Sequence, residues 1–181
     1  MFSTIVCGIA ACDSVNGFKF PIAMSMRSLV FVSLAALALF PGCVTPHAQN
    51  QRSARQSMDE AIRQEEPGKY FVGRRYYKRD YKFWGFVRQP GQPWSTAKLV
   101  MLNEQAKLAP DRELGTLGSD NNYEYKLYGD FSGQTVYEPA SNGFYPEFVL
   151  KAYELRSVGP PNIYKESGAT DPARRIIATP Y

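Results

Sequence analysis

A basic and aromatic run, RRYYKRDYKFW from Arg74 to Trp84, contains the residue types best suited to binding chemistry in this chain. Guanidinium and ammonium groups bind phosphate or carboxylate, and aromatic faces pack on sugar rings or stack on bases. An amphipathic hairpin, with aromatic side chains in a core and charges in solvent, is the alternative, because strand alternation produces the same pattern. The candidate ligand contacts are the cations and the tryptophan of the run: Arg74, Arg75, Lys78, Arg79, Lys82 and Trp84.

Trp94 is a further candidate ligand contact, and it lies in the turn sequence Pro93-Trp94-Ser95. Binding residues are concentrated on loops, where an exposed tryptophan can anchor a ligand. A tryptophan at such a turn can also close the end of a β-barrel core, and the sequence leaves both roles open. We therefore expect Trp94 either at a binding surface or at the edge of the core.

Carboxylates are the main acid–base groups of the chain, because its one histidine, His47, lies in the polar stretch VTPHAQNQR. A Ser-His-Asp triad, a Cys-His dyad and a His-ligated zinc all need histidine on a rigid scaffold, so these sites are excluded. A glycoside hydrolase needs two carboxyl groups about 5–10 Å apart, and no motif pairs them here. The acidic residues near predicted turns and strand ends are Asp111, Asp120, Asp130, Glu138 and Glu147.

Two glycine-containing loops offer weak ligand signals, and neither predicts a metal or a cofactor. The loop Gly118–Asn122 has oxygen donors but lacks the spaced acidic residues and the distal glutamate of a calcium loop. The segment Gly129–Gly133 is too short for a phosphate-binding loop, and no Lys-Ser or Lys-Thr pair follows it. We therefore predict no catalytic residue, no metal and no cofactor.

The elements that would position these residues are predicted to be strands. From Lys69 onward, aromatic and β-branched residues alternate with polar residues, and turn sequences such as Gln89–Pro93 and Ser141–Gly143 separate the alternating stretches. A final strand is predicted over Phe148–Leu155. The predicted fold class is mainly β: a small antiparallel barrel or sandwich of about six strands with one short N-terminal helix.

Two segments have predictions other than a single strand. Ser57 and Glu60 fit a capping box, which predicts a short helix from Ser57 to about Glu66, ahead of a Pro-Gly stop. Residues 95–108 fit either a hairpin, with arms at Leu99–Leu102 and Lys107–Ala109, or a helix, because alanine, leucine and glutamine favour helix. Both alternatives remain open for this second segment.

The N-terminal sequence has the layout of an export signal. In RSLVFVSLAALALFPGC, Arg27 precedes the apolar run Ser28–Phe40, which is shorter than the roughly 20 residues needed to span a membrane. With Gly42 and Cys43 at its end, the segment resembles the type II signal of bacterial lipoproteins. That resemblance implies cleavage before Cys43, attachment of acyl chains such as palmitate to Cys43, and, in a host with two membranes, localisation at the outer membrane.

These observations divide the chain into four predicted parts. Residues 1–42 comprise the signal and an upstream stretch that Met24 and Met26 mark as a possible start-site artefact, and residues 43–56 form the lipid anchor and a polar tether. Residues 57–158 form one β-rich domain, and residues 159–181, which show no periodicity, form a flexible tail.

Part of the predicted domain resembles known small barrels. The stretch YKLYGDFSGQTVYEP followed by PEFVLKAYEL is similar to the later strands of an OB-like or SH3-like barrel. In that comparison Gly129 is a bulge glycine that lets a strand curl. The resemblance therefore implies a closed barrel.

The function expected from the sequence is that of a membrane-anchored envelope lipoprotein with a non-catalytic β-domain for binding or scaffolding. Its expected partners are the membrane, through the lipid anchor, and a cell-wall glycan or an envelope protein. We expect no nucleic-acid partner, since the envelope offers little nucleic acid to a basic and aromatic surface. The alternative function is a small carboxylate-dependent hydrolase of cell-wall glycan.

Overall fold

The computed structural model of the protein describes residues 46–181, all within one compact unit. Cys43 and the signal-like sequence lie outside the described residues. The elements, in chain order, are α1 (Pro46–Arg63), β1 (Phe71–Arg75), β2 (Gly85–Arg88), a 3-10 turn (Trp94–Thr96), β3 (Lys98–Asn103), α2 (Pro110–Glu113), β4 (Glu124–Glu138) and β5 (Gly143–Ser157).

The five strands form a closed barrel in the order β1-β2-β3-β5-β4, with β4 returning to pair with β1. All pairs are antiparallel except β3 and β5, which run parallel with Leu102 opposite Phe148. The prediction of a small, mainly β barrel with one N-terminal helix is therefore confirmed. The strands are fewer and longer than expected, because β4 and β5 each run for 15 residues through segments that the sequence divided.

The predicted turn at Gly129–Gly133 lies inside β4 as an irregularity of the strand. The register of β4 against β5 shifts between Tyr128 and Gly129 and again between Phe131 and Thr135. A Cβ atom at Gly129 would collide with the backbone oxygen of Val149, so only glycine allows this close approach. The expected bulge glycine is therefore confirmed.

Two aromatic clusters form the core. One includes Trp84, Leu127, Phe148 and Leu150, which belong to β2, β4 and β5 or adjoin them. The other joins residues near the β1–β2 connection to α1 and to the C-terminal segment, and it includes Met58, Ile62, Tyr76, Phe83, Phe86, Trp94, Ile163 and Tyr164. Residues 46–181 contain no cysteine, so the fold depends on burial of these side chains, at about 1.5–3 kcal/mol for each large side chain.

The helix α1 begins at Pro46, eleven residues before the predicted cap, and it ends at Arg63. The capping box at Ser57 is wrong, because the Ser57 hydroxyl donates to the backbone oxygen of Ser53 within the helix. Residues 46–56 are therefore helical where a tether was predicted. Met58 and Ile62 are buried, so the helix docks on the barrel. Within the described residues, no helix has the length and apolarity needed to cross a membrane.

Residues 95–108 form neither the predicted hairpin nor the predicted helix. Leu99–Leu102 does lie in a strand, β3, but Lys107–Ala109 forms no second arm. The partners of β3 are β2 and, in parallel, β5, which begins 40 residues after β3 ends. A hairpin prediction assumes a nearby partner, and here the partner is distant in sequence.

The C-terminal residues 159–181 pack against the barrel, so the prediction of a flexible tail is wrong. Ile163, Tyr164 and Ala169 are buried, and Tyr164 forms an antiparallel bridge with Pro180. This segment buries single residues at irregular intervals, which leaves no periodic pattern in the sequence. The folded domain consequently extends beyond the predicted boundary at residue 158.

Candidate ligand-binding cleft

The loop between β1 and β2, residues 76–84, contains most of the basic and aromatic run. Its two ends are joined, since the backbone N–H of Tyr76 donates to the oxygen of Trp84 at 3.1 Å. The N–H of Trp84 donates to Val100 of β3 at 2.8 Å. The loop, called the β1–β2 loop below, is therefore fixed at its base to the barrel wall.

Lys78 holds the β1–β2 loop to the C-terminal segment. Its ammonium group donates to the backbone oxygens of Ala169 at 2.6 Å and Asp171 at 2.7 Å, and the side chain is buried. Burial lowers the pKa of the Lys78 ammonium, although the Asp171 charge opposes that change. The N–H of Arg79 also donates to Pro172, at 3.0 Å. Lys78 is therefore an internal clamp, not the surface contact expected from the sequence.

Arg75 is buried between two carboxylates. Its Nη2 donates to Asp111 at 2.7 Å and its Nε to Asp120 at 3.3 Å, and all three side chains are at most 5% exposed. Asp111 also accepts the backbone N–H of Gly118 at 2.9 Å. Gly118 has a φ of +77° and lies against the ring of Tyr77, so a side chain there would be both strained and obstructed.

The two carboxylates around Arg75 have opposite pKa shifts. Burial would raise the pKa of Asp111, but the Arg75 charge and the hydrogen bonds from Gly118 and Arg75 hold it below its usual value. Burial raises the pKa of Asp120, and the adjacent Asp111 charge adds to that effect against the attraction of Arg75. The cluster has two carboxyl groups for one guanidinium, which explains why the pKa values of the two carboxyl groups move in opposite directions.

A cleft of about 400 Å³ lies between the β1–β2 loop and the connection from β3 to β4. Arg75, Trp84 and Asp111 contribute its buried side. Arg79 and Lys82 are exposed lining residues, and Tyr81 adds a half-buried aromatic ring. The cleft therefore combines aromatic surface, hydrogen-bonding groups and positive charge, and it includes four of the seven candidate ligand contacts.

The polar groups of the cleft differ in their exposure. Trp84 Nε1 and Asp111 Oδ1 make no hydrogen bond to any described residue, but both atoms are buried, so neither is presented to a ligand in the cleft. Neither Arg79 nor Lys82 forms a salt bridge with a carboxylate of residues 50–181. Positive charge therefore remains available on the exposed side of the cleft.

The remaining candidates, Arg74 and Trp94, lie elsewhere, beside a smaller cavity of about 260 Å³ next to α1. Arg74 donates to Glu124 at 2.7 Å and to the backbone oxygen of Pro161 at 2.9 Å. Trp94 is 2% exposed, with the guanidinium of Arg88 4.5 Å from the centre of its ring. Trp94 therefore has the core position that the sequence left open, and the seven candidates do not form one site.

The other acidic residues considered from the sequence are engaged separately. Asp130 pairs with Lys151 at 2.7 Å on the exposed surface, and Glu147 accepts from Asn103 at 3.1 Å. Glu138 accepts the backbone N–H of Ser141 at 2.6 Å and so closes the turn between β4 and β5. Among residues 50–181, no group of three or more His, Cys, Asp or Glu side chains is arranged to hold a metal ion.

The cleft also contains residues that the sequence analysis did not select. Glu104 and Arg112, from the connection between β3 and β4, form a salt bridge of 3.2 Å and both line the cleft. Tyr77 and Tyr81 were inside the basic and aromatic run, and their aromatic type was a usable signal. Glu104 and Arg112 offered none, because only the closure of the barrel brings them to the β1–β2 loop.

Comparisons with protein-family models, with curated proteins and with solved structures each give no match for this chain. Its function is therefore inferred from the shape and chemistry of the barrel. The cleft beside the β1–β2 loop joins aromatic lining to two cations without salt-bridge partners among the described residues. The cavity beside Phe71 and Phe131 has one such cation, Lys98, and the cavity beside Tyr70 has one, Lys69.

Proposed function

We propose that this protein is a lipid-anchored envelope protein whose barrel binds a cell-wall glycan in the cleft and catalyses no reaction on it. The observation that carries the proposal is the composition of the cleft: Tyr81 offers an aromatic surface, and Arg79 and Lys82 are exposed cations without a salt-bridge partner among the described residues. Aromatic faces with a few placed polar groups are the general means by which pockets hold a polar ligand with an apolar face, such as a sugar.

The topology of the barrel supports a binding role. The strand order and the parallel β3–β5 pair resemble the OB barrel. OB barrels bind oligosaccharides and oligonucleotides on the β2–β3 face and on adjoining loops, including the loop between their first two strands. Here the β1–β2 loop is one wall of the cleft. A glycan in this cleft would thus lie beside the loop that OB barrels use to bind their ligands.

The state of the carboxylates supports binding without catalysis. Asp111 and Asp120 are the acidic pair, within the described residues, that the fold brings together on Arg75. Both side chains are at most 3% exposed, and both bind the same guanidinium. A hydrolase needs one carboxyl group to protonate the glycosidic oxygen and another to act at the sugar carbon, with the substrate between them. A hydrolase remains the alternative proposal, which this arrangement does not favour.

The proposed anchor is Cys43, three residues before the start of α1. Two or more acyl chains give stable membrane attachment, where a single chain is marginal. Val44 after the lipidated cysteine is not aspartate, which by resemblance to the sorting of bacterial lipoproteins implies the outer membrane of a host with two membranes. The intact mass of the protein extracted from membranes tests this, since it should equal Cys43–Tyr181 plus acyl chains. A Cys43→Ala variant that stays fully in the membrane fraction would refute the anchor.

The binding proposal is tested by co-sedimentation with purified cell-wall sacculi. Tyr81→Ser should reduce the bound fraction severalfold, because it removes an aromatic surface from the cleft. Tyr137→Ser is the matched control. Tyr137 is 47% exposed on the β4–β5 arm, which is the end of the β4–β5 pair next to the turn at residues 139–142, and it does not line the cleft. Equal retention of both variants, with both folded by circular dichroism, would contradict glycan binding in this cleft.

An envelope protein is the second candidate partner, supported by an exposed aromatic pair. Phe144 is 70% exposed, and its ring centre lies 5.1 Å from that of Tyr137, across β4 and β5. Exposed paired aromatics are common anchors of protein interfaces. Crosslinking in intact cells distinguishes the partners: loss of a crosslinked protein in Tyr137→Ser, with unchanged sacculus binding, would assign the arm to a protein.

A further inference from the structure

We infer that the glycan bound in this cleft carries a carboxylate, and that Arg79 and Lys82 bind that carboxylate. This inference rests on the proposed function, because it specifies the ligand of the same cleft. Its basis is the uneven pairing of the charges around the cleft, which leaves positive charge at one side.

The charges lining the cleft are four cations and two carboxylates. The two carboxylates are already paired, since Asp111 binds Arg75 at 2.7 Å and Glu104 binds Arg112 at 3.2 Å. Asp120, behind Arg75, is a further negative group, and it is engaged with Arg75 and with the hydroxyl of Tyr125. The remaining two lining charges, on Arg79 and Lys82, face solvent without a carboxylate from the described residues.

These two cations are held close to the cleft by the anchoring of their backbone. Arg79 directly follows the Lys78 clamp, and its N–H donates to Pro172 at 3.0 Å. The N–H of Lys82 donates to the carboxylate of Glu138, and this bond lowers the pKa of Glu138 although burial opposes it. The loop backbone is thus fixed at both positions, so binding of an anion orders the side chains of Arg79 and Lys82 but not the backbone that carries them.

A carboxylate-bearing sugar fits the cleft better than a nucleic acid. A single strand of nucleic acid needs a continuous positive groove for successive phosphates. Here Arg79 and Lys82 are the lining cations without a carboxylate partner among the described residues, and the other two lining cations, Arg75 and Arg112, are paired with Asp111 and Glu104. The available positive charge is therefore local and not continuous. The cleft thus suits a ligand with one acidic group next to a face that packs on an aromatic ring.

The test compares native sacculi with sacculi whose carboxyl groups have been converted to amides with carbodiimide and ethanolamine. Arg79→Gln/Lys82→Gln should bind native sacculi roughly tenfold more weakly than the parent protein, on the scale of two exposed charge contacts. The matched control is Lys151→Gln/Lys165→Gln, which removes the same charge from residues that do not line the cleft. The control should bind as the parent does, and the parent should lose binding to the amidated sacculi.

The outcomes separate the inference from the proposed function. Undiminished binding to amidated sacculi, or undiminished binding by Arg79→Gln/Lys82→Gln, would overturn the inference while sacculus binding itself stands. Absence of binding to native sacculi would overturn the proposed function. Tighter binding to a 20-nucleotide single-stranded DNA than to sacculi would overturn both in favour of a nucleic acid.

A further arm locates the carboxylate, which can belong to the sugar or to the attached peptide. Glycan strands freed of peptide by an amidase expose the carboxylate of the sugar and are used as soluble competitors. Competition by these strands places the recognised carboxylate on the sugar. Competition by the released peptides alone would refute recognition of the glycan, because it would show a peptide site.

Discussion

The two parts of the basic and aromatic run, residues 74–78 and 79–82, have similar compositions and opposite surroundings. In the first part Arg74, Arg75 and Lys78 are buried, and their charges bind carboxylates and backbone oxygens of the protein. In the second part Arg79 and Lys82 are exposed beside the cleft.

The difference shows that residue type alone does not separate structural from binding cations. Each cation of the first part has an internal partner from a distant segment: Glu124, Asp111 and Ala169. A cation with a partner inside the protein is part of the core. A cation without such a partner is available to a ligand. The contrast predicts large effects on stability in the first part and effects on binding in the second.

The largest effect is expected from Arg75→Met. Removing the guanidinium leaves Asp111 and Asp120 buried without their cation, and breaking a buried pair in this way costs about 3–5 kcal/mol of unfolding free energy. Arg79→Met, the matched change in the second part, should stay within about 0.5 kcal/mol. Urea unfolding, monitored by tryptophan fluorescence, measures both effects. Equal unfolding midpoints for the two variants would contradict the difference between the two parts of the run.

Acid should reveal a second buried pair, next to α1. Burial opposes the charge of Glu65, but hydrogen bonds from Arg88, Arg156 and the backbone of Gly91 lower its pKa from 4.5 to about 2. Because the folded pKa is lowered, the stabilisation is present above about pH 4.5 and is lost as the pH falls towards 2.

At roughly 1.4 kcal/mol for each pKa unit, this contribution is about 3 kcal/mol. Unfolding free energy measured between pH 6 and pH 2.5 should therefore decline less steeply in Glu65→Gln, which has no carboxylate to titrate. Glu66→Gln, a neighbouring exposed residue, is the control and should decline as the parent does. Parallel curves for the parent and Glu65→Gln would refute the pairing.

Lys78→Met should have a smaller effect, confined to the C-terminal segment. The variant leaves the backbone oxygens of Ala169 and Asp171 without their charged donor, and such hydrogen bonds contribute about 1.5–3 kcal/mol. Hydrogen exchange should become faster at residues 163–178, while the β4–β5 pairing stays protected. Lys82→Met serves as the control. Unchanged exchange in Lys78→Met would mean that the segment is held without this clamp.

The smallest effect on stability is expected from Lys82→Gln. The side chain is exposed and has no salt-bridge partner among the described residues, so unfolding free energy should change by less than about 0.5 kcal/mol. The same variant should still weaken sacculus binding, and raising the salt concentration should reduce the difference from the parent. A loss of more than 1 kcal/mol in unfolding free energy would instead show that Lys82 stabilises the fold, as the cations of residues 74–78 do.

The sequence was sufficient for the fold class because the barrel strands follow a period of two residues. It was insufficient for Arg75, since the carboxylates that bury it, Asp111 and Asp120, come from a segment 36 or more residues away. A cation in a strand looks solvent-facing in the sequence until such partners are known. The same argument applies to Trp94, whose burial depends on the separate approach of Arg88 and of α1.

The candidate site was partly predictable. The run identified Arg79, Lys82 and Trp84, which line the cleft, but it also included Arg74, which does not. The C-terminal segment was missed because its buried residues do not recur at the spacing of a helix or a strand. Secondary-structure propensity does not identify a segment that packs in this irregular way. Closure of the barrel therefore determines which residues of the basic and aromatic run line the same cleft.

The hydrogen bond between the N–H of Ala178 and the hydroxyl of Tyr76 spans 102 residues of chain. A polypeptide that emerges from a ribosome or a translocation channel with its N-terminus first exposes Tyr76 long before Ala178 is available. The second aromatic cluster, in which both residues are buried, cannot be completed during that interval. The protein would thus stay open while it is being synthesised or threaded, and its final compaction would wait for release of the chain.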